Sequence, residues 1–148
     1  MALVAGVDSS TQSCTVELRD AESGRLIGAG SSKHPPTSPP VSEQATSHWW
    51  NAFEVALQAA CLDGGVRPSE IAAISVGAQC HGLVILDGDD HEIRPVKLWN
   101  DTTSAPDVGR LLKERDQRSW IEEVLVPLNP ALTISKLAWL ARNDIASK

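Results

Sequence analysis

The sequence lacks the features that mark several common classes of protein. Its 13 Lys and Arg residues are outnumbered by 19 Asp and Glu residues, so we expect no basic surface with non-specific affinity for nucleic acid. No apolar run approaches the roughly 20 residues that span a bilayer, and Met1-Ala2-Leu3 lacks the basic start of a signal peptide. We therefore expect a cytoplasmic protein that binds neither nucleic acid nor membranes.

Cysteine, histidine and glycine motifs are equally sparse. The three cysteines form no Cys-x-x-Cys pair, which argues against a disulfide scaffold or a structural zinc site and favours free thiols. The four histidines lack metal-ligand spacing, so no dedicated metal centre is expected. Neither Gly-x-x-x-x-Gly-Lys-Ser/Thr nor Gly-x-Gly-x-x-Gly occurs. Any phosphate site must therefore be of another kind.

What is present predicts an α/β protein the size of one domain, with 148 residues of which 42% are hydrophobic. The apolar run 3–7, the alternating segment 14–19 and the segment 25–32 predict three strands of an antiparallel meander. The segment 33–42 is rich in Pro and Ser, so it should leave the sheet as an extended surface loop.

The middle of the chain predicts one helix and two more strands. An apolar stripe at helical spacing over 47–64 predicts a long helix with Trp49 and Trp50 packed in the core. The short apolar runs 71–76 and 83–86 are bounded by turn signals and predict buried strands.

Three helices should complete the chain. Capping-box spacing predicts the start of two of them, at Ser104 with Asp107 and at Ser119 with Glu122. Thr133 begins the third. Strands and helices in this order predict a mixed sheet with flanking helices.

Three polar segments lie at predicted strand ends, at 8–13, 79–82 and 99–102. In open α/β sheets ligands bind beyond the ends of strands. We therefore expect the three segments to line one cleft.

The first polar segment, Asp8-Ser9-Ser10-Thr11-Gln12-Ser13, offers a carboxylate, four hydroxyls and an amide in one hairpin. Its hydrogen-bond donors suit the oxygens of a polyphosphate, while Asp8 can orient the waters of a bound metal ion. An ordinary β-turn is the alternative interpretation, because Asp and Ser are common in turns.

The other two segments suit a polar substrate such as a sugar. His81 can exchange hydrogen bonds with hydroxyls, and Gly82 lets a ligand approach the backbone; the alternative is a histidine that bonds a loop carbonyl. Trp99 and Asp101 would share one face of an extended segment, with the indole as a flat wall and the carboxylate as an acceptor. A core tryptophan and a turn-capping aspartate are the alternative.

Five motifs in this order resemble those of the FGGY carbohydrate kinases. They are Gly6-Val7-Asp8-Ser9-Ser10-Thr11-Gln12-Ser13, Trp49-Trp50, Gln79-Cys80-His81-Gly82-Leu83-Val84-Ile85-Leu86-Asp87, Leu98-Trp99-Asn100-Asp101-Thr102 and Lys136-Leu137-Ala138-Trp139-Leu140. The resemblance implies a ribonuclease-H-like fold of the actin and hexokinase type. Residues 1–148 would be the N-terminal part of its first domain, without the rest of that domain or the second domain.

The resemblance also implies a reaction, which is ATP-dependent phosphorylation of a sugar. D-xylulose, giving D-xylulose 5-phosphate, is the first choice, and ribulose or glycerol are alternatives. The departures from the family pattern bear on that choice: Cys80 stands where Met is usual, Ser9 where Gly is frequent and Thr103 where Arg is common.

Matched position by position, the resemblance gives Asp8 a catalytic role beside Mg²⁺, held through water, and the γ-phosphate of ATP. It makes the next four residues the first phosphate loop: Ser9, Ser10, Thr11 and Gln12. It makes six residues ligands of the sugar: Gln79, Cys80, His81, Gly82, Trp99 and Asp101.

Family members are considerably longer, and their general base, second phosphate loop and adenosine pocket are expected beyond Lys148. Phosphoryl transfer needs groups from both sides of the cleft, so we expect these 148 residues alone to have little or no activity. Two further hypotheses stand beside the kinase. One is a non-catalytic, actin-like nucleotide-binding module, and the other is a folded remnant whose exposed sheet edge pairs two copies into a homodimer.

Overall fold

The computed structural model describes residues 2–144, which form two compact units. The first comprises 2–36 with 46–79, and the second comprises 37–45 with 80–144. No helix within 2–144 is long and apolar enough to cross a membrane. In chain order the elements are β1 (Leu3–Ser9), β2 (Ser13–Asp20), β3 (Leu26–Lys33), β4 (Glu43–Gln44), α1 (Thr46–Gly64), a 3₁₀ turn (Pro68–Glu70), β5 (Ile71–Ala78), β6 (Val96–Lys97), α2 (Ala105–Glu114), α3 (Gln117–Val124) and α4 (Thr133–Asn143).

The first unit is a four-stranded mixed sheet packed against α1. Its strand order is β3-β2-β1-β5, with antiparallel pairs within the meander and a parallel pair between β1 and β5. Gly24 lies in the turn before β3 at φ 71°, a left-handed conformation that favours glycine. The predictions of a meander, a long helix and a following strand are confirmed.

The core of the first unit lies between the sheet and α1, and its residues follow the two-residue repeat of a strand and the 3.6-residue repeat of a helix. In β1 and β2 every second residue is buried: Leu3, Ala5, Val7, Cys14, Val16 and Leu18. In α1 the buried residues are Ala52, Ala56, Ala60 and Cys61. Burial raises the pKa of both buried thiols, Cys14 and Cys61, which favours the protonated form. All three cysteines are free, as predicted.

Helix α1 approaches β3 so closely that two positions of the strand have room only for glycine. A Cβ at Gly30 would lie 2.6 Å from the Ala60 amide nitrogen and closer still to the Ala56 carbonyl oxygen. A Cβ at Gly28 would lie 2.6 Å from the Gly64 amide nitrogen. The main chain of the helix therefore packs directly on the main chain of the strand.

Two predictions about apolar side chains of the first unit are wrong. Trp50 is 62% exposed and Trp49 is half-buried, because the small alanines of α1 face the sheet in their place. Strand β5 is not buried: it is an edge strand, and Val76 is 63% exposed. Trp50, Phe53, Ile74 and Val76 instead line part of an apolar groove of about 650 Å³.

The second unit contains the short pair of β4 with β6 and the helices α2, α3 and α4. The predicted strand at 83–86 is wrong. Only single bridges form there, from Leu83 to Lys97 and from Leu86 to Glu92. His81, two residues before this run, has φ 59°, which turns the chain away from extended backbone.

The capping boxes predicted for α2 and α3 do not form, although both helices exist. Ser104 precedes α2, but its hydroxyl donates to the Pro130 carbonyl at 3.2 Å instead of capping the first turn. Helix α3 is capped by Asp116, whose side chain accepts from the Ser119 amide at 2.8 Å. Helix α4 begins at Thr133, as predicted.

We expect Gly30→Ala to destabilise the protein by about 1–3 kcal/mol, because the added methyl group meets the backbone of α1. Gly6→Ala is the control, since a Cβ at Gly6 has no heavy atom within 4 Å. Urea denaturation followed by circular dichroism measures both variants. Equal stabilities would contradict the close approach of helix and strand.

Candidate functional site

The predicted phosphate loop is the hairpin between β1 and β2. Its last strand pair is Ser9 with Cys14, and the Ser10 amide donates to the Ser13 carbonyl at 3.0 Å. Asp8 is exposed near the end of β1, and the Ser10 hydroxyl donates to its Oδ1 at 2.7 Å. The hairpin therefore presents an oriented carboxylate to solvent, which suits the waters of a hydrated cation.

Gln79 belongs to the first unit and contacts this hairpin. Its backbone amide donates to the Ser9 carbonyl at 3.1 Å, and the Thr11 hydroxyl donates to its Oε1 at 3.3 Å. Its Nε2 atom is buried and has no hydrogen-bond partner within residues 2–144. A buried amide donor beside a loop of hydroxyls suits a ligand that carries acceptor oxygens.

The histidine loop lies in the second unit and leaves two side chains exposed, those of Cys80 and His81. The Thr133 hydroxyl donates to the His81 carbonyl at 3.4 Å. Gly82 packs against β6, since a Cβ there would lie 3.3 Å from Val96 Cγ1. Contacts on two sides therefore support the backbone that carries the histidine.

Trp99 and Asp101 do not share a face, so that prediction is wrong. The residues after Leu98 form a turn instead of an extended segment, and the Asp101 amide donates to the Leu98 carbonyl at 3.1 Å. Trp99 is 46% exposed, whereas Asp101 is 0% exposed. Of the two side chains, only the indole reaches the surface.

The Asp101 carboxylate is enclosed by donors. The Thr103 amide donates to Oδ1 at 3.0 Å, the Ser42 amide donates to Oδ2 at 2.8 Å, and Lys97 Nζ lies 3.3 Å from both oxygens. Burial alone would raise the pKa of this carboxyl, but the hydrogen bonds and the Lys97 charge hold it below its ordinary value. The carboxylate therefore caps the turn, and its direct contact with a sugar stays a prediction.

Sequence reasoning missed the two buried lysines of this unit. Lys97 is 2% exposed and Lys136 is 0% exposed. Lys136 donates to the carbonyls of Pro130, at 3.4 Å, and Ala131, and it forms no ion pair with a carboxylate in the described range. Burial lowers the pKa of Lys136 to about 8. The one sequence signal for Lys97 is its place inside the apolar run 96–99.

One exposed turn gathers side chains of the metal-binding type. The ligand atoms of Asp87, Asp89 and His91 all lie within 4.8 Å of one another. Asp87 Oδ1 accepts from the amides of Asp89 and His91, each at 2.9 Å. These hydrogen bonds of the turn account for the cluster, and Asp8 remains the residue predicted to hold a metal ion.

Comparison with known sequences gives matches over nearly the whole chain. The model of the N-terminal domain of the FGGY family of carbohydrate kinases matches residues 3–147. The xylulose kinase of Streptomyces rubiginosus is 39% identical over 143 residues, which are 96% of this chain and 29% of that protein. A xylulose kinase of Arthrobacter sp. is 47% identical over 106 residues, which are 71% of this chain and 100% of that sequence. The chain thus spans less than a third of the Streptomyces relative.

Solved structures resemble the chain over the same extent. The xylulose kinase from Bifidobacterium adolescentis matches with a TM-score of 0.87 and 36% identity, over 97% of this chain and 30% of that one. The glycerol kinase of Plasmodium falciparum, with a TM-score of 0.81 and 16% identity over 99% of this chain and 30% of that one, shares the fold alone. These matches confirm the predicted ribonuclease-H-like fold class.

We expect Lys136→Met to change the pH dependence of stability. The pKa of Lys136 is about 8 in the folded chain against 10.5 for an ordinary lysine, so burying the charged amine costs stability at pH 7 and costs nothing above pH 10.5. Relative to wild type, the variant should therefore be more stable at pH 7 than at pH 10.5 by about 2–3 kcal/mol.

Urea denaturation at both pH values measures this difference. Lys113→Met, at an exposed lysine of α2, is the matched control and should change little between the two. The same offset for both variants would show that Lys136 is not a buried amine.

Proposed function

Because this chain belongs to the FGGY family of carbohydrate kinases, we propose that the protein transfers the γ-phosphoryl group of Mg-ATP to a sugar hydroxyl. D-xylulose is the proposed sugar, since the Streptomyces and Bifidobacterium relatives are both xylulose kinases. The observation that carries the proposal is the hairpin between β1 and β2, where Ser10 orients the Asp8 carboxylate and Thr11 donates to Gln79. The proposed activity is that of a whole kinase, and we propose that this chain is the N-terminal part of its first domain; the chain spans 29% of the Streptomyces relative.

The hairpin has the donor set that a metal-bound polyphosphate needs. Asp8 supplies a carboxylate to the waters of Mg²⁺, and the Ser10 hydroxyl, 2.7 Å from it, keeps the carboxylate oriented. The four residues of the proposed phosphate loop surround the phosphate oxygens: Ser9, Ser10, Thr11 and Gln12. The buried Nε2 of Gln79, which has no partner within residues 2–144, adds a donor. When bound, Mg-ATP supplies the phosphoryl group and neutralises charge that develops on it.

The second unit supplies the groups for the sugar. His81 and Cys80 are exposed on a supported loop, and imidazole nitrogens can donate to or accept from sugar hydroxyls. The exposed indole of Trp99 offers an apolar wall to the C–H face of a sugar. In this proposal His81 and Trp99 determine sugar affinity, while Asp8 acts on the transferred phosphoryl group.

We expect Asp8→Ala and His81→Ala to impair the reaction in different ways. Asp8→Ala should lower kcat by about 100-fold or more, because charge stabilisation in the transition state is lost. His81→Ala should raise KM for xylulose by about 10-fold, the effect of one hydrogen bond of about 1.4 kcal/mol. A coupled assay that detects ADP, run on the whole protein with Mg-ATP, measures both constants.

Glu54→Ala, at an exposed carboxylate of α1, is the control and should leave both constants unchanged. Full activity in either test variant would remove that residue from the proposal. Phosphorylation of ribulose or glycerol but not of xylulose would contradict D-xylulose as the proposed substrate and leave the kinase proposal in place. Absence of phosphorylation with all three would refute the kinase and favour a nucleotide-binding module.

A further inference from the structure

Lys97 carries a buried charge at the centre of the second unit. Its Nζ lies 2.9 Å from Glu43 Oε1, 2.8 Å from the Thr103 hydroxyl and 3.3 Å from both oxygens of Asp101. It also lies 3.9 Å from the centre of the Trp139 ring, within the range of a cation–π contact. A buried ammonium group is tolerated only with partners of this kind.

The Asp101 carboxylate has no capacity left for another donor. Its Oδ1 accepts from both the amide and the hydroxyl of Thr103, and its Oδ2 accepts from the Ser42 amide. Lys97 Nζ lies within hydrogen-bond range of both oxygens. A carboxylate has about four lone-pair sites, so a sugar hydroxyl would have to displace one of these donors. The carboxylate is also 0% exposed.

The same lysine is connected to both segments proposed to bind the sugar. Its side chain and Asp101 close the turn that carries Trp99. Its backbone carbonyl accepts from the Leu83 amide at 2.9 Å, and Leu83 follows His81 by two residues. The side chain of Lys97 therefore contacts Asp101, in the turn that carries Trp99. Its main chain contacts Leu83, in the segment that follows His81.

We infer that Lys97 and Asp101 are positioning residues whose buried charge pair holds the Trp99 turn in place for the sugar. The inference rests on the proposed function and goes beyond it, since it gives a role to Lys97 and takes Asp101 out of contact with the substrate. The indole is then placed through the turn that this charge pair closes. Loss of either charge moves Trp99 without removing any group that meets the sugar.

Nuclear magnetic resonance of the indole N–H of Trp99, assigned with Trp99→Phe, tests the inference in this chain without any activity. Asp101→Asn should shift this signal. The matched control is Asp107→Asn, because Asp107 is equally buried and accepts from Arg142 at 2.8 Å, outside both sugar segments. It should destabilise the protein without moving the Trp99 signal. An unmoved signal in Asp101→Asn, or equal shifts in both variants, would overturn the inference.

Kinetics of the whole protein provide the second arm. Asp101→Asn should raise KM for the sugar by about 10-fold while KM for ATP and kcat change little, and it should have no further effect in a Trp99→Ala background. An undiminished effect in that background would make Asp101 a direct sugar ligand and overturn the inference. If no sugar is phosphorylated by the wild-type protein, the proposed function fails, while the resonance experiment still decides the inference.

The double variant Lys97→Met with Asp101→Asn separates positioning from stability. Asp101→Asn leaves the Lys97 charge, 2% exposed, with Glu43 as its carboxylate partner, whereas the double variant removes that buried charge as well. The double variant should therefore have the higher Tm of the two. The Trp99 signal should nevertheless stay shifted, because the turn has lost its closing pair. A return of the signal to its wild-type position would overturn the inference.

Discussion

The main-chain contact between α1 and β3 determines the geometry of the first unit. With glycine at positions 28 and 30, the helix lies on the strand without a side chain between them, and this defines the inner face of the sheet. Val7 faces that core, so Asp8, the next residue of an alternating strand, faces the other way. A slip of one residue in the pairing of β1 would bury the carboxylate and expose the valine. The orientation of the proposed metal ligand therefore follows from helix packing on a different strand.

The interior of the second unit is organised by charge. Lys97, Asp101, Asp107 and Lys136 are all 2% exposed or less. Burying such groups adds little net stability, because the loss of hydration offsets the Coulombic gain. Each buried charge nevertheless requires defined partners. Asp107 is an example, because the hydrogen bond from Arg142 stabilises its charged form and lowers its pKa. An interior of this kind restricts the positions of its loops more than it stabilises the fold.

Periodicity predicted the elements whose side chains alternate between core and solvent. It found β1, β2, β3 and α1 with bounds close to those observed, and it found the first residue of α4. Periodicity failed where the size or the charge of a side chain, and not its hydrophobicity, determines whether that side chain is buried. Trp49 and Trp50 are the largest side chains on α1, yet only small residues such as alanine and glycine fit beneath the main chain of β3. Lys97 and Asp101 have the chemistry of surface residues, and each supplies the partner that makes burial of the other tolerable.

Resemblance and physical reasoning locate different parts of the candidate site. The motif around Trp99 identifies a segment, but it does not say which of its side chains reaches solvent. The turn after Leu98 decides that, since it separates two side chains that an extended segment would place on one face. Lys97, which helps close this turn, lies outside the matched letters. A chain with the same Trp-x-Asp letters and no buried cation at that position would need another set of donors for the carboxylate, or would expose it to solvent. The two chains would share the motif, but different side chains of that motif would be exposed to a sugar.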